Sequence, residues 1–179
     1  MSVPGKISSD ILILGLGNVL LQDEGVGVHV VNQLQKHYLF NPSVDLIDGG
    51  TSGLDLLGDI EDRTRIIIVD AIEFGQYPGY VGILKNDEIL ARIQTKLSIH
   101  HLGLSDILST LILLDKIPPE IILVGIQPEK LETGLVLSET VNKAVPKAVS
   151  IIFSLLEEWG ITVTQNSADN QTGVWQFTS

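Results

Sequence analysis

The sequence holds no cysteine, which excludes disulfides and thiolate metal sites. Cationic side chains are scarce. The 11 Lys and Arg stand against 22 Asp and Glu, for a formal net charge of -11 at pH 7. Nucleic-acid phosphates are held by clustered Lys and Arg, so this balance argues against DNA or RNA as a partner. The acidity itself reads as a solubility feature. No apolar run is long enough to span a bilayer, and the longest candidate, Ile107–Leu114, reads as a buried helix. No basic, apolar leader with a small-residue cleavage site stands at the N-terminus, which points to the cytoplasm. There is no internal repeat, and no His-Glu-x-x-His pattern of the common zinc-protease helix.

What is present reads as one layered domain. At 179 residues and 44% hydrophobic, the chain can build one sizeable core and not comfortably two. Ile11–Leu14, Val44–Ile47, Ile66–Val69 and Ile121–Val124 are continuous apolar runs, the pattern of strands covered on both faces. Between them apolar residues recur at helical spacing: Val26, Val30, Val31 and Leu34, then Leu104, Ile107, Leu108 and Leu111, then Val141, Val145, Val149, Ile152 and Leu156. Strands alternating with helices imply the α/β class. One connection is too short for a crossover helix. Gly75, Pro78 and Gly79 fill the gap between Asp70 and Tyr80, so Tyr80–Leu84 is expected to run antiparallel to the strand ending at Asp70. The predicted architecture is a three-layer αβα domain over 10–160, with a mostly parallel, twisted five-stranded sheet carrying one antiparallel strand. Residues 1–9 read as a flexible start, and 165–179, rich in Asn, Ser, Asp, Gln and Thr, as a disordered tail.

Polar residues gather where those strands end, the place where open α/β sheets bind ligands. The first strand runs into Gly15-Leu16-Gly17-Asn18-Val19-Leu20-Leu21-Gln22-Asp23-Glu24-Gly25-Val26-Gly27. A dinucleotide fingerprint needs a third glycine where Leu20 stands, and Asp23 and Glu24 would repel a pyrophosphate. Both carboxylates suit a helix N-terminus, with Asp23 as its expected cap. Gly50-Thr51-Ser52-Gly53 fails as a nucleophile elbow, because its glycine falls one residue too early; Ser52 reads as part of a tight turn. Asp48 and Asp70 are open to pairing as an aspartic dyad. Carboxylates with imidazole also suit nickel, zinc and related divalent ions, for which Glu24, Asp70 and one of the pair His100-His101 can supply three ligands. Each also has a plain structural reading: Glu24 against the helix dipole, Asp70 bonded to a turn, His100 near a helix start.

The first motif resembles the N-terminal signature of the hydrogenase maturation proteases. The resemblance continues through Asp48-Gly49-Gly50-Thr51-Ser52-Gly53, Val69-Asp70-Ala71-Ile72, Ser98-Ile99-His100-His101-Leu102-Gly103-Leu104 and Val124-Gly125-Ile126-Gln127-Pro128-Glu129, and covers Ile11 to about Leu156. It implies an endopeptidase that removes the C-terminal extension of a nickel-iron hydrogenase large-subunit precursor once nickel is inserted. It also implies a five-stranded twisted sheet between helices. By motif, the family's metal-contacting residues fall on Glu24, Asp70 and His100. The Leu-Gly-Leu that follows selects His100 over His101, which stays in reserve, and Ile99 stands where the family often has proline. Asp48 matches a position linked to activity and is the catalytic candidate. The nickel is expected to come with the substrate rather than be held permanently, and the protease is expected to be a monomer. Two other readings share these residues: a nickel-dependent assembly checkpoint or chaperone without proteolysis, and a hydrolase of the same layout acting on a small molecule.

Overall fold

A computed structural model of the chain describes residues 9–89, 91 and 102–166. The strands are β1 (Ile11–Leu16), β2 (Tyr38–Asn41), β3 (Asp45–Gly50), β4 (Arg65–Ala71), β5 (Val81–Lys85), β6 (Glu120–Ile126) and β7 (Thr162–Gln165). The helices are α1 (Val26–His37), α2 (Leu57–Ile60), α3 (Leu102–Leu113) and α4 (Glu139–Glu158). Short 3-10 turns at Gln22–Gly25 and Gly53–Leu56 lead into α1 and α2.

The main sheet has five strands in the order β3-β1-β4-β6-β5. β1, β3, β4 and β6 are parallel, and β5 alone is antiparallel. The short connection after Asp70 therefore does reverse the chain. However, β5 does not lie beside β4. It pairs with β6 at the sheet edge, with Gly82 opposite Gly125, and the ring of Phe74 lies where a Cβ on either glycine would fall.

Strand alternation sorts the core into two layers. Ile11, Ile13, Ile67, Val69, Ile122 and Val124 face α1 and α4, whose Val30, Leu34, Val145 and Ile152 meet them. Leu12, Leu14, Ile66, Ile68, Ile121 and Leu123 face the other way, toward Leu56 and Ile60 and toward Ile107, Leu108 and Leu111 of α3. α3 is only half buried, contrary to expectation for Ile107–Leu114. Its inner stripe is sealed, but Ile112, Leu113 and Leu114 are exposed, because a helix packed on one sheet face has an outer side.

A feature not read from the sequence is a second, two-stranded antiparallel sheet of β2 and β7. Its strands are only four residues each, and no residue of either is fully buried, so neither registers as a core strand. It carries described structure beyond 160, the expected domain end. Of the expected start 1–9 and tail 165–179, residues 1–8 and 167–179 lie outside the described residues, while Ser9, Gln165 and Asn166 are hydrogen-bonded to the domain. No described helix is long and apolar enough to cross a membrane.

Candidate active site

The glycines of the first motif allow close backbone approaches. Gly17 lies in the left-handed region, with φ +120, and a Cβ there would fall 1.7 Å from the carbonyl oxygen of Glu24. Gly27 opens α1, and a Cβ there would fall 2.0 Å from the carbonyl oxygen of Val69 and 2.4 Å from that of Leu16. Only glycine allows both contacts. The turn is set locally as well. Asn18 Oδ1 accepts the Leu20 N–H at 3.0 Å, and the Gly17 N–H donates to the carbonyl of Gly50 at 3.0 Å. The outcome is that α1 presses against β4 at the residue before Asp70, while the turn before α1 brings in Glu24.

Asp70 is buried, at 7% exposure, and its Oδ1 accepts the N–H of Ala71 at 2.8 Å. Burial pushes its pKa up to about 7; the Ala71 bond opposes this, and the negative charge of nearby Glu24 adds to it. Glu24 Oε2 is buried and has no hydrogen-bond partner among the described residues. A buried carboxyl whose proton affinity is raised by burial and by a neighbouring carboxylate with an unpartnered oxygen forms a site that a proton or a cation relieves. Among the described residues no group of three such side chains is complete. His100 and His101 lie outside the described residues. The helix that follows them, α3, packs on the sheet face carrying Ile68 and Ile72, to which strand alternation also assigns Asp70.

Asp23, next to Glu24, is no helix cap. The turn Gln22–Gly25 and the start of α1 have no side-chain cap bond. Instead Asp23 is fully buried and reaches across the molecule. Its Oδ2 accepts the N–H of Glu129 at 3.0 Å, the N–H of Lys130 at 2.8 Å and the hydroxyl of Ser138 at 2.8 Å, and its Oδ1 accepts the N–H of Ser138 at 2.7 Å. Sequence reading missed this clip because its partners are 106 to 115 residues away and three of the four donors are backbone groups.

The other strand-end residues separate clearly. Asp48 is exposed and accepts from Asn32 Nδ2 at 3.3 Å. It cannot form a dyad with Asp70. β1 lies between their strands, and alternation sends Asp48 toward α1 and Asp70 toward the α3 face. Ser52 is part of a tight turn as read, its N–H donating to the Gly49 carbonyl at 2.9 Å. Gln127 is buried; its Oε1 accepts the N–H of Phe74 at 2.7 Å and of Gln76 at 3.4 Å, anchoring the loop that follows Asp70. Large apolar side chains stand exposed on the same loops, among them Leu20, Leu54, Tyr77, Leu135 (65%) and Val136 (74%). Apolar groups grouped about a polar site are a feature of surfaces that meet another macromolecule.

A sequence model described as hydrogenase maturation protease matches residues 28–155. The chain is 40% identical over 159 residues to the hydrogenase 2 maturation protease of Escherichia coli (strain K12), a match spanning 88% of this chain and 97% of that one. It is 36% identical over 160 residues to the hydrogenase expression/formation protein HupD of Bradyrhizobium diazoefficiens, spanning 88% and 83%. Among solved structures it is similar to the hydrogenase maturating endopeptidase HybD from E. coli, with a TM-score of 0.82 at 39% identity, covering 89% of this chain and 99% of that one. It is also similar to the NiFe hydrogenase maturation protease HybD from Thermococcus kodakarensis, with a TM-score of 0.68 at 31% identity, covering 81% and 97%.

Proposed function

The chain belongs to the hydrogenase maturation protease family, and on that footing we propose that it cuts the C-terminal extension from a nickel-iron hydrogenase large-subunit precursor, using Glu24, Asp70 and His100 to test whether nickel is in place. One observation carries the nickel reading: half-buried Glu24, whose Oε2 is buried and unpartnered among the described residues, acts on buried Asp70, whose pKa is near 7. Such a pair is costly in the protein alone and is satisfied by a divalent ion. His100 would supply the third contact from the segment that leads into α3.

The nickel arrives as part of the substrate. Its remaining coordination positions are then the feature recognised, and an empty precursor lacks that part of the binding free energy. Each tenfold of discrimination corresponds to about 1.4 kcal/mol. The exposed apolar side chains around the site favour a macromolecular client over a small molecule. In the hydrolysis a water oxygen adds to the scissile carbonyl and the C–N bond breaks, giving a shortened large subunit and a free peptide. Asp48 is the candidate general base. It is solvent-facing at the end of β3 and held by Asn32.

The deciding experiment incubates the purified protein with nickel-loaded and nickel-free precursor and weighs the products. Shortening of the nickel-loaded form alone is expected. A stable uncut complex would favour the checkpoint reading, and equal cleavage of both forms would remove nickel from recognition.

A further inference from the structure

We propose that Asp23 is a positioning residue for Glu24, so that the segment 127–138 belongs to the working site although it supplies none of the three nickel contacts. The inference rests on the assignment of Glu24 to the client's nickel. Glu24 sits in a 3-10 turn of only four residues, with no side-chain cap at its start. The turn opens on Gln22 itself, whose φ of 48 is left-handed and strained in a residue other than glycine. A single turn does not hold itself rigid. Nor do the described residues restrain the far oxygen of Glu24.

The restraint comes from the residue beside it. Asp23 accepts four hydrogen bonds from Glu129, Lys130 and Ser138, and its own N–H donates to the Lys130 carbonyl at 3.2 Å. The flanking backbone is tied to the same segment. The Gln22 N–H donates to the Gly134 carbonyl at 2.9 Å, and the Gly134 N–H donates to the Leu20 carbonyl at 2.9 Å. Successive residues of a 3-10 turn point about 120° apart. With Asp23 locked toward 127–138, Glu24 is turned away from that segment and toward β4, where its charge acts on Asp70. Ser138 extends the clip into α4, because its hydroxyl donates to Asp23 and accepts the Val141 N–H at 3.2 Å.

A double-mutant cycle tests this. Affinity for nickel-loaded and nickel-free precursor is measured for Asp23→Asn, Glu24→Gln and the double variant, each shown to be folded at the assay temperature. Asp23→Asn puts an amide N–H against backbone donors and loses at least one of the four bonds. If Asp23 acts through Glu24, it lowers affinity for the nickel-loaded form about tenfold, leaves the nickel-free form unchanged, and adds nothing on top of Glu24→Gln. Losses that multiply in the double variant, or that fall equally on both precursor forms, overturn the proposal and leave Asp23 a structural residue. If Glu24→Gln alone leaves nickel-loaded binding unchanged, the nickel assignment of Glu24 has failed first, and the two failures are told apart. Should Asp23→Asn not fold, Ser138→Ala carries the same cycle, since it removes one donor and leaves the carboxylate in place.

Discussion

Asp23 is sealed from solvent and accepts three backbone N–H groups and a hydroxyl, whereas Asp70, nearly as buried, accepts one N–H. Both sit at the carboxyl edge of the same sheet. The first carboxylate has exchanged its hydration for a full set of protein donors, so its bonds stabilise the fold. The second has given up hydration and received little in return, so its charged form is disfavoured and its pKa climbs to about 7. A buried charge with a full set of partners is structure. One without them is a candidate for work that begins when a ligand arrives. The opposite edge of the sheet follows the first pattern: buried Arg63 donates to the carbonyls of Asp59 and Ser9 and pairs with Asp45 at 2.5 Å.

The largest expected effect attacks the unsatisfied member. A carboxyl whose folded pKa lies above its unfolded value gives stability that is full below about pH 4 and is lost as pH rises through about 7. From 3.8 to about 7 is roughly three pKa units, or about 4 kcal/mol at 1.36 kcal/mol each. Asp70→Asn removes this slope. Urea midpoints at pH 5 and pH 8 should converge in the variant, with a gain in stability at pH 8; on the proposed contact of Asp70 with the client's nickel, cleavage of nickel-loaded precursor should also fall about 100-fold. A variant that keeps the slope would mean that Asp70 is not its source. The satisfied member should behave in the opposite way. Asp23→Ala leaves three N–H groups without their acceptor, at about 1–3 kcal/mol each, so denaturant unfolding should show a loss of about 3 kcal/mol or more. A smaller loss would show that water replaces the carboxylate.

Glu24→Gln has a smaller effect than either. It keeps the shape and removes the charge, so calorimetric titration should show about tenfold weaker binding of nickel-loaded precursor, about 1.4 kcal/mol. The stability change should be small, because no bond to Oε2 exists to be lost. The smallest effect is on the fold at Asp48. Its one contact is with Asn32 on the surface, so Asp48→Asn should shift the unfolding free energy by no more than about 0.5 kcal/mol. Cleavage by this variant is then a clean measure of chemistry: unchanged turnover removes Asp48 from the reaction.

Much of the fold was legible because its signals are local. Ile11–Leu14 and Ile66–Val69 are uninterrupted apolar runs, and Val141 to Leu156 keeps a helical period over the whole of α4, so each element declared itself within a window of a few residues. The reversal after Asp70 was legible from chain length alone, but the partner of β5 was not, because the turn fixes direction and packing chooses the neighbour. The ladder of β2 and β7 was missed for the same reason: Tyr38–Asn41 carries no strong pattern until Thr162–Gln165 comes alongside it. At the site, Glu24 and Asp70 were visible as acidic groups at strand ends, whereas the separation of Asp48 from Asp70 onto opposite faces followed only from strand order and register.

The sequence by itself determined the class, the five-stranded mixed sheet, the family and the acidic residues at the strand ends, because periodicity, motif spacing and chain length act within short segments. The tertiary structure alone decided what each carboxylate does. Asp23 and Glu24 are neighbours of the same charge, and the motif that singles out Glu24 gives no sign of what Asp23 holds. The difference is made by Glu129, Lys130 and Ser138, more than a hundred residues away, which satisfy the one and leave the other facing Asp70.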